Sequence, residues 1–446
     1  MRPCKRYTIP ILSLFLFTVV FLVPSAGHAQ GKVYTLKQCI DKALGTNLSV
    51  VQAKDYYRQA KANVLAAKGA FLPDLNWNLN GYFEHSRRSG YTHPITGQYM
   101  SGDVLEDNQY YSAKLDVSLL LFDGFGLFYN LAGSKAQLAS YGHQISQQEL
   151  NTVYSVKSQY FSLLQAQSIL EIRQKALERS QELMKIAQTK YEVGSASLSD
   201  VLKAKVSLSQ AQLDLLITEN SVKTAQANLN YAIGERIDQE IAVKDVEMSV
   251  GEYTLEQVND YALDNNPDYL SAQSDCNSAK YSLKYAQSNY SPTLTVSGAK
   301  QWTDRKIENV DDWWSRNYNA YVYASLNFNI FNRFQTRKQT ETAKANLHTA
   351  EYQLNDAKRA IELEVREAYL NLQEKSKARE LSEEKFASAD EDYKLAHEKY
   401  KLGAATILDI LDAELSLKTA ESDQIESKYN YYLAIARLQK VMGLIE

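Results

Sequence analysis

One eleven-residue stretch occurs twice in the chain, as KYEVGSASLSD at residues 190–200 and as KYKLGAATILD at residues 399–409. The offset of 209 residues also relates Phe122 to Phe331, Tyr160 to Tyr369 and Gly234 to Gly443. Nearer the N-terminus an offset of 219 residues relates Tyr34 to Tyr253 and Pro73 to Pro292. A repeat of this length sets the architecture before any local pattern is considered. The sequence therefore predicts two copies of one unit of roughly two hundred residues, with a longer insertion in the first.

The N-terminal residues 1–29 have the composition of a secretory signal peptide. A basic start containing Arg2, Lys5 and Arg6 precedes an apolar run at 11–23, and Gly27-His28-Ala29 forms a small-residue cleavage site. No later stretch reaches the roughly 18 apolar residues of a membrane helix. Removing the three N-terminal cations changes the formal charge from −4 to −7. An acidic chain without a basic face excludes nucleic acid as an expected partner.

Proline positions and helix-start signals divide each copy. All seven prolines lie outside residues 95–266 and 293–446, which permits very long helices because proline breaks them. Thr35 with Gln38 and Thr254 with Gln257 fit the capping box. We predict a first repeat at 30–245, with helices at 35–70, a β-hairpin at 74–122 and long helices at 125–193 and 198–233. We predict a second repeat at 246–446, with helices at 254–290, a β-hairpin at 293–331 and long helices at 334–402 and 406–442.

The two hairpin regions show strict alternation of apolar and polar residues. Leu75, Trp77 and Leu79 alternate with asparagines, and the second copy alternates from 294 to 297 and from 320 to 330. This pattern predicts strands with one apolar and one polar face. Their length matches the roughly 9–11 residues of a tilted membrane strand. The segments 85–108 and 303–316 are predicted to be exposed loops, and Trp302, Trp313 and Trp314 are predicted to lie in interface belts or in such loops.

Apolar residues in the long helices recur every seven residues, as at Val156, Leu163, Leu170, Leu177, Met184 and Tyr191. Such a stripe predicts helices packed side by side, and 65 residues make a rod of roughly 100 Å. Four amphipathic strands cannot close into a barrel alone, since small barrels need about eight. The chain must therefore oligomerise: two copies give eight strands with a filled interior, and three give twelve with a lumen. The fold class is an α+β membrane protein.

The duplication, the two β-hairpins, the long helices and both KY-x-x-G tips resemble the TolC family of outer-membrane efflux channels over residues 32–443. The resemblance implies a homotrimer, with a twelve-stranded β-barrel in outer-membrane lipid continued by an α-helical barrel through the periplasm. It implies a passive exit duct for drugs, toxins or proteins in a tripartite efflux pump or type I secretion system. The implied partners are a periplasmic adaptor protein and an inner-membrane transporter of RND, ABC or MFS type. No cofactor and no enzymatic activity are expected.

The resemblance also assigns roles at the helix tips. Asp409 and Asp412 match the carboxylates that narrow the pore at a periplasmic iris, and Tyr400 and Asp200 match residues that link the closed tips. The basic partner of those links is replaced by Ala405 here. The adaptor-binding tips correspond to Val193, Gly194, Leu198, Leu402, Gly403 and Ile407.

Simpler interpretations of these residues remain open at this stage. Gly194 and Gly403 also fit left-handed helix C-caps. Asp200 and Asp409 fit capping boxes with Ser197 and Thr406, and Asp412 fits a solvated helix face.

Two other function classes compete with the channel. One is a secreted periplasmic coiled-coil structural or adaptor protein without a membrane barrel, and the other is a cell-envelope enzyme. No nucleophile–base pair, metal-ligand spacing or phosphate loop in the sequence supports the enzyme. Cys39 and Cys276 are expected to be small buried hydrophobes rather than a disulfide, although an oxidising compartment would permit one.

Overall fold

The computed structural model describes residues 32–88, 90–100, 104–249, 251, 253–316 and 318–445, so the expected signal peptide lies outside the described residues. The fold is mostly helical and has one substantial β-sheet. In chain order the elements are β1 (Lys32–Tyr34), α1 (Leu36–Thr46), α2 (Leu48–Gly69), β2 (Asp74–Arg88), β3 (Tyr91–Thr92), β4 (Tyr99–Met100), β5 (Val104–Phe122), α3 (Gly126–Glu192), α4 (Leu198–Ile233), β6 (Ile241–Val243), α5 (Leu255–Asn265), α6 (Pro267–Ser288), β7 (Thr293–Asp304), a 3-10 helix (Ile307–Trp314), β8 (Tyr318–Asn327), α7 (Gln335–Leu402) and α8 (Ile407–Val441).

Side-chain caps explain where several helices begin. Thr35 and Thr254 each accept a hydrogen bond from the backbone three residues on, and Gln38 and Gln257 complete the two capping boxes. Asn47 and Asn266 then end α1 and α5 and cap α2 and α6 with their own side chains. Each cap satisfies backbone N–H groups that the first helical turn leaves unpaired. One helix therefore ends and the next begins at Asn47, and the same happens at Asn266.

Two helices are far longer than a globular domain requires. α3 has 67 residues and α7 has 68. Each is therefore a rod of about 100 Å at ~1.5 Å per residue. Among the described residues, no helix combines the length and the apolarity that crossing a membrane would require.

The helices lie side by side in a fixed lateral order. Next to the sheet, α3 packs between α2 and α6, and α6 packs against α7. Towards the far end, α3 packs against α4 and α8, and α8 packs against α7. Buried clusters hold this arrangement around Tyr160 and Phe161, around Val258 and Val365, and at the tips around Tyr400. α7 is therefore one lateral edge of the subunit, both next to the sheet and towards the far end. The other lateral edge is α2 next to the sheet and α4 towards the far end.

The main sheet is antiparallel, with strand order β2-β5-β7-β8. The register places Leu75, Val117, Gly298 and Val322 side by side across all four strands. A register shift between Leu120 and Phe122 marks a bulge next to the helices.

The predicted loop boundaries at the far end of this sheet are wrong. Residues 85–108 are not a single loop, because β2 and β5 stay paired up to Arg88 and Val104. A short β3–β4 ladder lies beyond that point. In the second hairpin β7 runs to Asp304, a 3-10 helix follows it, and β8 ends at Asn327 before Phe328. Cross-strand backbone hydrogen bonds continue through polar sequence, which the composition of a segment does not reveal.

Burial of individual side chains corrects one expectation and confirms another. Trp302 lies in β7 and is fully buried, so it is neither in a loop nor exposed as a belt residue would be. The side chains of Trp313 and Trp314 lie outside the described residues. Cys39 and Cys276 are buried free thiols, as expected. Burial raises the pKa of the Cys39 thiol to about 11.

Candidate functional site: the amphipathic sheet and the helix tips

One face of the four-stranded sheet is mostly apolar, with Lys300 as a charged residue on it. Each strand contributes to it, through Leu75, Trp77 and Leu79 from β2, Leu115 and Val117 from β5, Val296 from β7, and Val322 and Leu326 from β8. Trp77 is 61% exposed and Val322 is 79% exposed. A single chain thus presents a contiguous apolar patch to its surroundings, and such patches mark contact with lipid or with protein.

The opposite face is polar along the same strands. Asn76, Asn78 and Asn80 pair there with Asp116, Lys114 and Ser112. Lys114 and Asp116 form an ion pair, and Asn78 Nδ2 donates to Asp116 Oδ2 at 3.5 Å. A sheet that is apolar outside and polar inside is the arrangement of an outer-membrane barrel wall.

The two copies of the repeated motif lie at the end of the molecule far from the sheet. α3 turns into α4 at Gly194, and α7 turns into α8 at Gly403, with φ angles of +76° and +78°. In each turn a backbone N–H reaches back to close the helix, from Ser195 to Lys190 O and from Ala404 to Lys399 O, both at 2.8 Å. Left-handed geometry favours glycine at such helix ends. The C-cap interpretation of both glycines is therefore correct, and the turns form two exposed tips.

The tips differ in which apolar residues they expose. Val193 is 73% exposed and Leu402 is 84% exposed, and Leu198 is also exposed. Ile407 is only 3% exposed, because it packs into the tip cluster with Leu183, Ala187 and Ile410. The expectation that Ile407 contacts an adaptor is therefore wrong for this subunit structure, in which it supports the tip from inside.

Asp200 and Asp409 both act as capping residues. Ser197 N donates to Asp200 Oδ2 at 3.0 Å, and Thr406 N donates to Asp409 Oδ2 at 2.7 Å. Thr406 Oγ1 donates to the same Asp409 oxygen at 2.8 Å. These hydrogen bonds to the charged form hold the pKa of both carboxyls below their usual range. Asp412 lies beyond the cap, three residues further along α8, and is exposed.

Tyr400 joins the two tips from inside. Its side chain is 4% exposed, and its hydroxyl is buried without a hydrogen-bond partner among the described residues. Lys190 from α3 donates to the Tyr400 carbonyl oxygen, and its ammonium lies 4.4 Å from the centre of the tyrosine ring. Burial raises the pKa of the Tyr400 phenol, and the Asp200 carboxylate raises it further. The tip is therefore held by a lysine that sequence reasoning did not single out.

A set of charged residues about three to five helical turns from the tips also escaped sequence reasoning. Arg179 of α3 forms a bidentate pair with Glu421 of α8, at 3.0 and 2.9 Å. Glu414, seven residues before Glu421, is buried and accepts from Ser180 Oγ at 2.9 Å. Burial raises the pKa of the Glu414 carboxyl. The seven-residue spacing of two glutamates on a packing seam was the available signal, but spacing alone does not name their partners.

Comparisons with known proteins agree with this geometry. The profile of the family described as "Outer membrane efflux protein" matches residues 39–235 and 258–444. The chain is 24% identical to the outer membrane protein TolC of Vibrio cholerae, covering 91% of this chain and 94% of that protein. It is 23% identical to the alkaline protease secretion protein AprF of Pseudomonas aeruginosa, covering 89% and 81%. The crystal structure of VceC from Vibrio cholerae superposes with a TM-score of 0.78 at 18% identity, covering 92% and 97%.

An amphipathic sheet on a long helical shaft defines the subunit of an outer-membrane channel. The chain belongs to the outer membrane efflux protein family. The expected outer-membrane location and exit-duct function are thereby confirmed. The relatives are channel and secretion proteins rather than enzymes.

Proposed function

We propose that three copies of this chain form one continuous duct from the periplasm through the outer membrane, and that an acidic iris at the tips closes it. The open lateral edges of the subunit are the observation that carries this proposal. Among the described residues, β2 and β8 each pair on one side only. The helical edges follow them, with α2 and α4 on the β2 side and α7 on the β8 side. Joining one edge to the other of the next copy makes a heterologous interface that closes into a ring.

The surface of the isolated chain supports such closure. The chain of 50.5 kDa exposes 29759 Å². A compact folded monomer of that mass exposes about 17,000 Å². The 31 residues before Lys32 account for at most about 5,000 Å² of the difference, which is the surface of an unfolded chain of that length. The remaining surface includes exposed leucines on both helical edges, Leu202 and Leu213 on α4 and Leu381 and Leu395 on α7.

Strand number selects three copies. Two chains supply eight strands, whose interior side chains fill the barrel, whereas three supply twelve and leave a lumen. In that trimer the apolar face meets lipid and the polar face lines the channel. The helices continue the wall, and the two halves of each chain repeat the same order of helix pair, hairpin and long helix pair. We interpret that order as an internal duplication at residues 30–245 and 246–446.

The iris is assigned to the start of α8. Asp409 and Asp412 are one helical turn apart, so three chains present two rings of three carboxylates. Acidic rings attract cations and repel anions. Because Asp409 already caps α8, Asp412 is the carboxylate with more freedom to meet an ion. Tyr400 comes from the α7–α8 tip and Asp200 from the α3–α4 tip, and they lie close enough for the Asp200 carboxylate to raise the pKa of the Tyr400 phenol.

The exposed residues of the two tips, Val193, Gly194, Leu198, Leu402 and Gly403, are proposed to receive a periplasmic adaptor protein. An adaptor would couple the duct to an inner-membrane transporter of RND, ABC or MFS type. AprF is named for protease secretion, and the pyoverdine export protein OpmQ of Pseudomonas aeruginosa is 21% identical over 92% of this chain and 84% of that protein. These names support both a type I secretion system and a tripartite efflux pump as the setting.

Conductance in planar bilayers tests the iris. Replacing Asp409 and Asp412 together with alanine should raise single-channel conductance and weaken block by a trivalent cation such as hexamminecobalt. The matched control is Glu192→Ala, which removes an exposed carboxylate at the end of α3. Unchanged conductance and block in the double variant would overturn the iris assignment. A wild-type protein that forms no trimer and no channel would overturn the proposed function itself.

A further inference from the structure

The end of α8 that carries Asp409 and Asp412 is linked to the first half of the chain by partly buried ion pairs. We propose that four residues, Arg179, Glu421, Asp214 and Lys418, hold α8 against α3 and α4 and thereby keep the duct closed at rest. We call these four residues the α8 anchor. The inference rests on the proposed iris and names the residues that position it.

The first tie is the Arg179–Glu421 pair. Arg179 Nη1 donates to Glu421 Oε1 and Arg179 Nη2 donates to Glu421 Oε2, and the two side chains are 19% and 11% exposed. Burial disfavours the charged guanidinium, but the hydrogen bonds to Glu421 outweigh burial and raise the pKa of Arg179. The planar fork of arginine fits a carboxylate in one orientation only. This pair therefore fixes the position and the rotation of α8 relative to α3.

The second tie joins α8 to α4. Lys418 forms an ion pair with Asp214, and Gln210 donates to the other Asp214 oxygen at 2.7 Å. Burial disfavours the charged Asp214, but the bonds from Lys418 and Gln210 outweigh burial and lower its pKa. Arg173 of α3 adds a bond from Nη2 to Ser422 Oγ at 3.0 Å. Three contacts thus hold one turn of α8, about 9 Å along the helix from Asp412.

The α8 anchor supplies charged contacts that the tip does not have. Position 405 is an alanine packed against the tip cluster, so it provides no charged link there. Moving α8 away from α3 and α4 would break the Arg179–Glu421 and Lys418–Asp214 pairs, and a partly buried charge that loses its partner is destabilised. Apolar packing at the tips tolerates sliding far better than a bidentate ion pair does. The α8 anchor therefore favours the one position of α8 in which Asp409 and Asp412 stay at the proposed iris.

The test compares two paired neutral substitutions. Arg179→Met combined with Glu421→Met removes the ion pair without leaving either of its two members charged and alone. The control combines Lys385→Met with Asp423→Asn, which removes an exposed pair between α7 and α8 at 2.7 Å. Both variants are first checked for heat-modifiable trimers on gels. If the Arg179 and Glu421 double variant does not assemble, the test uses Asp214→Asn combined with Lys418→Met instead.

We expect the anchor variant to raise the open-to-closed ratio in planar bilayers at least about tenfold, which corresponds to about 1.4 kcal/mol. The control should behave as wild type. Block by hexamminecobalt should persist in the anchor variant, because Asp409 and Asp412 remain. The reversed pair, Arg179→Glu with Glu421→Arg, should restore low conductance.

Two results would overturn the anchor. One is an assembled anchor variant with wild-type conductance, and the other is an equal increase in the Lys385 and Asp423 control. If the Asp409 and Asp412 variant still responds as expected, the proposed function survives and only the anchor fails.

Discussion

A charge placed on Val117 tests which face of the sheet meets lipid. Val117 lies in the central strand β5, with Leu75 on one side and Gly298 on the other. Its neighbour Ser118 points to the opposite face, where it pairs with Asp74 and Ser297. Val117→Arg places a positive charge on the apolar face of the sheet. Ser118→Arg places the same charge one residue further along, on the polar face. The pair is therefore matched in strand, depth and chemistry.

The magnitude follows from the cost of a cation on the lipid face of a barrel. Arginine near the bilayer midplane of an outer-membrane barrel costs about 2–4 kcal/mol, whereas lumen positions tolerate charge. Val117 lies nearer the helix end of β5 than its far end, and the cost falls towards about 0–1 kcal/mol near an interface, so three copies should cost up to about 12 kcal/mol per trimer. Ser118→Arg should cost little and should change the ion selectivity of the channel instead.

Folding into lipid vesicles measures this difference. Wild type and both variants are refolded from urea, and the yield of heat-modifiable trimer and the urea midpoint are recorded. We expect Val117→Arg to lose most of its trimer and Ser118→Arg to keep it. Equal losses, or a greater loss for Ser118→Arg, would reverse the assignment of the two faces and remove the barrel proposal.

Two further predictions concern buried titratable groups in the helical part. Because burial raises the pKa of Glu414 above its unfolded value, its contribution to stability is complete below about pH 4.5 and is lost as pH rises through the raised pKa. Glu414→Gln should therefore flatten the fall in urea midpoint between acidic and neutral pH, and an unaltered profile would contradict this role. The Cys39 thiol, whose pKa is raised from 9.0 to about 11, should react with maleimide at neutral pH at least about 100-fold more slowly in the native trimer than in urea. Equal rates measured by mass spectrometry would show that this thiol is not sheltered.

Local patterns in the sequence account for much of the architecture. Alternation with period two places the hairpins, because Leu75 and Asn76 must point to opposite faces of a strand. The absence of proline and the seven-residue stripes account for the lengths of α3 and α7. Thr35, Ser197, Thr254 and Thr406 begin helices as their capping boxes predict. These features depend on residues a few positions apart, so the sequence reveals them directly.

Strand ends and burial depend on distant partners and were not predictable in this way. Arg88 pairs with Val104, so β2 and β5 extend through polar sequence. This happens because the strand register that begins with Asp74 and Ser118 continues without a shift. Ile407 is buried because α3, which is far away in sequence, packs against it through Leu183 and Ala187. Which apolar residue is covered is a property of the packed chain.

The sequence by itself predicted that this chain is duplicated and exported, and that it is built from amphipathic strands and long helices. Periodicity and caps are local, and local free energies decide them. Only the tertiary structure decided that Lys190 meets Tyr400 and that Arg179 meets Glu421, across more than two hundred residues. Such pairs depend on which faces of two helices come together and at what height, and a seven-residue stripe permits several such alignments.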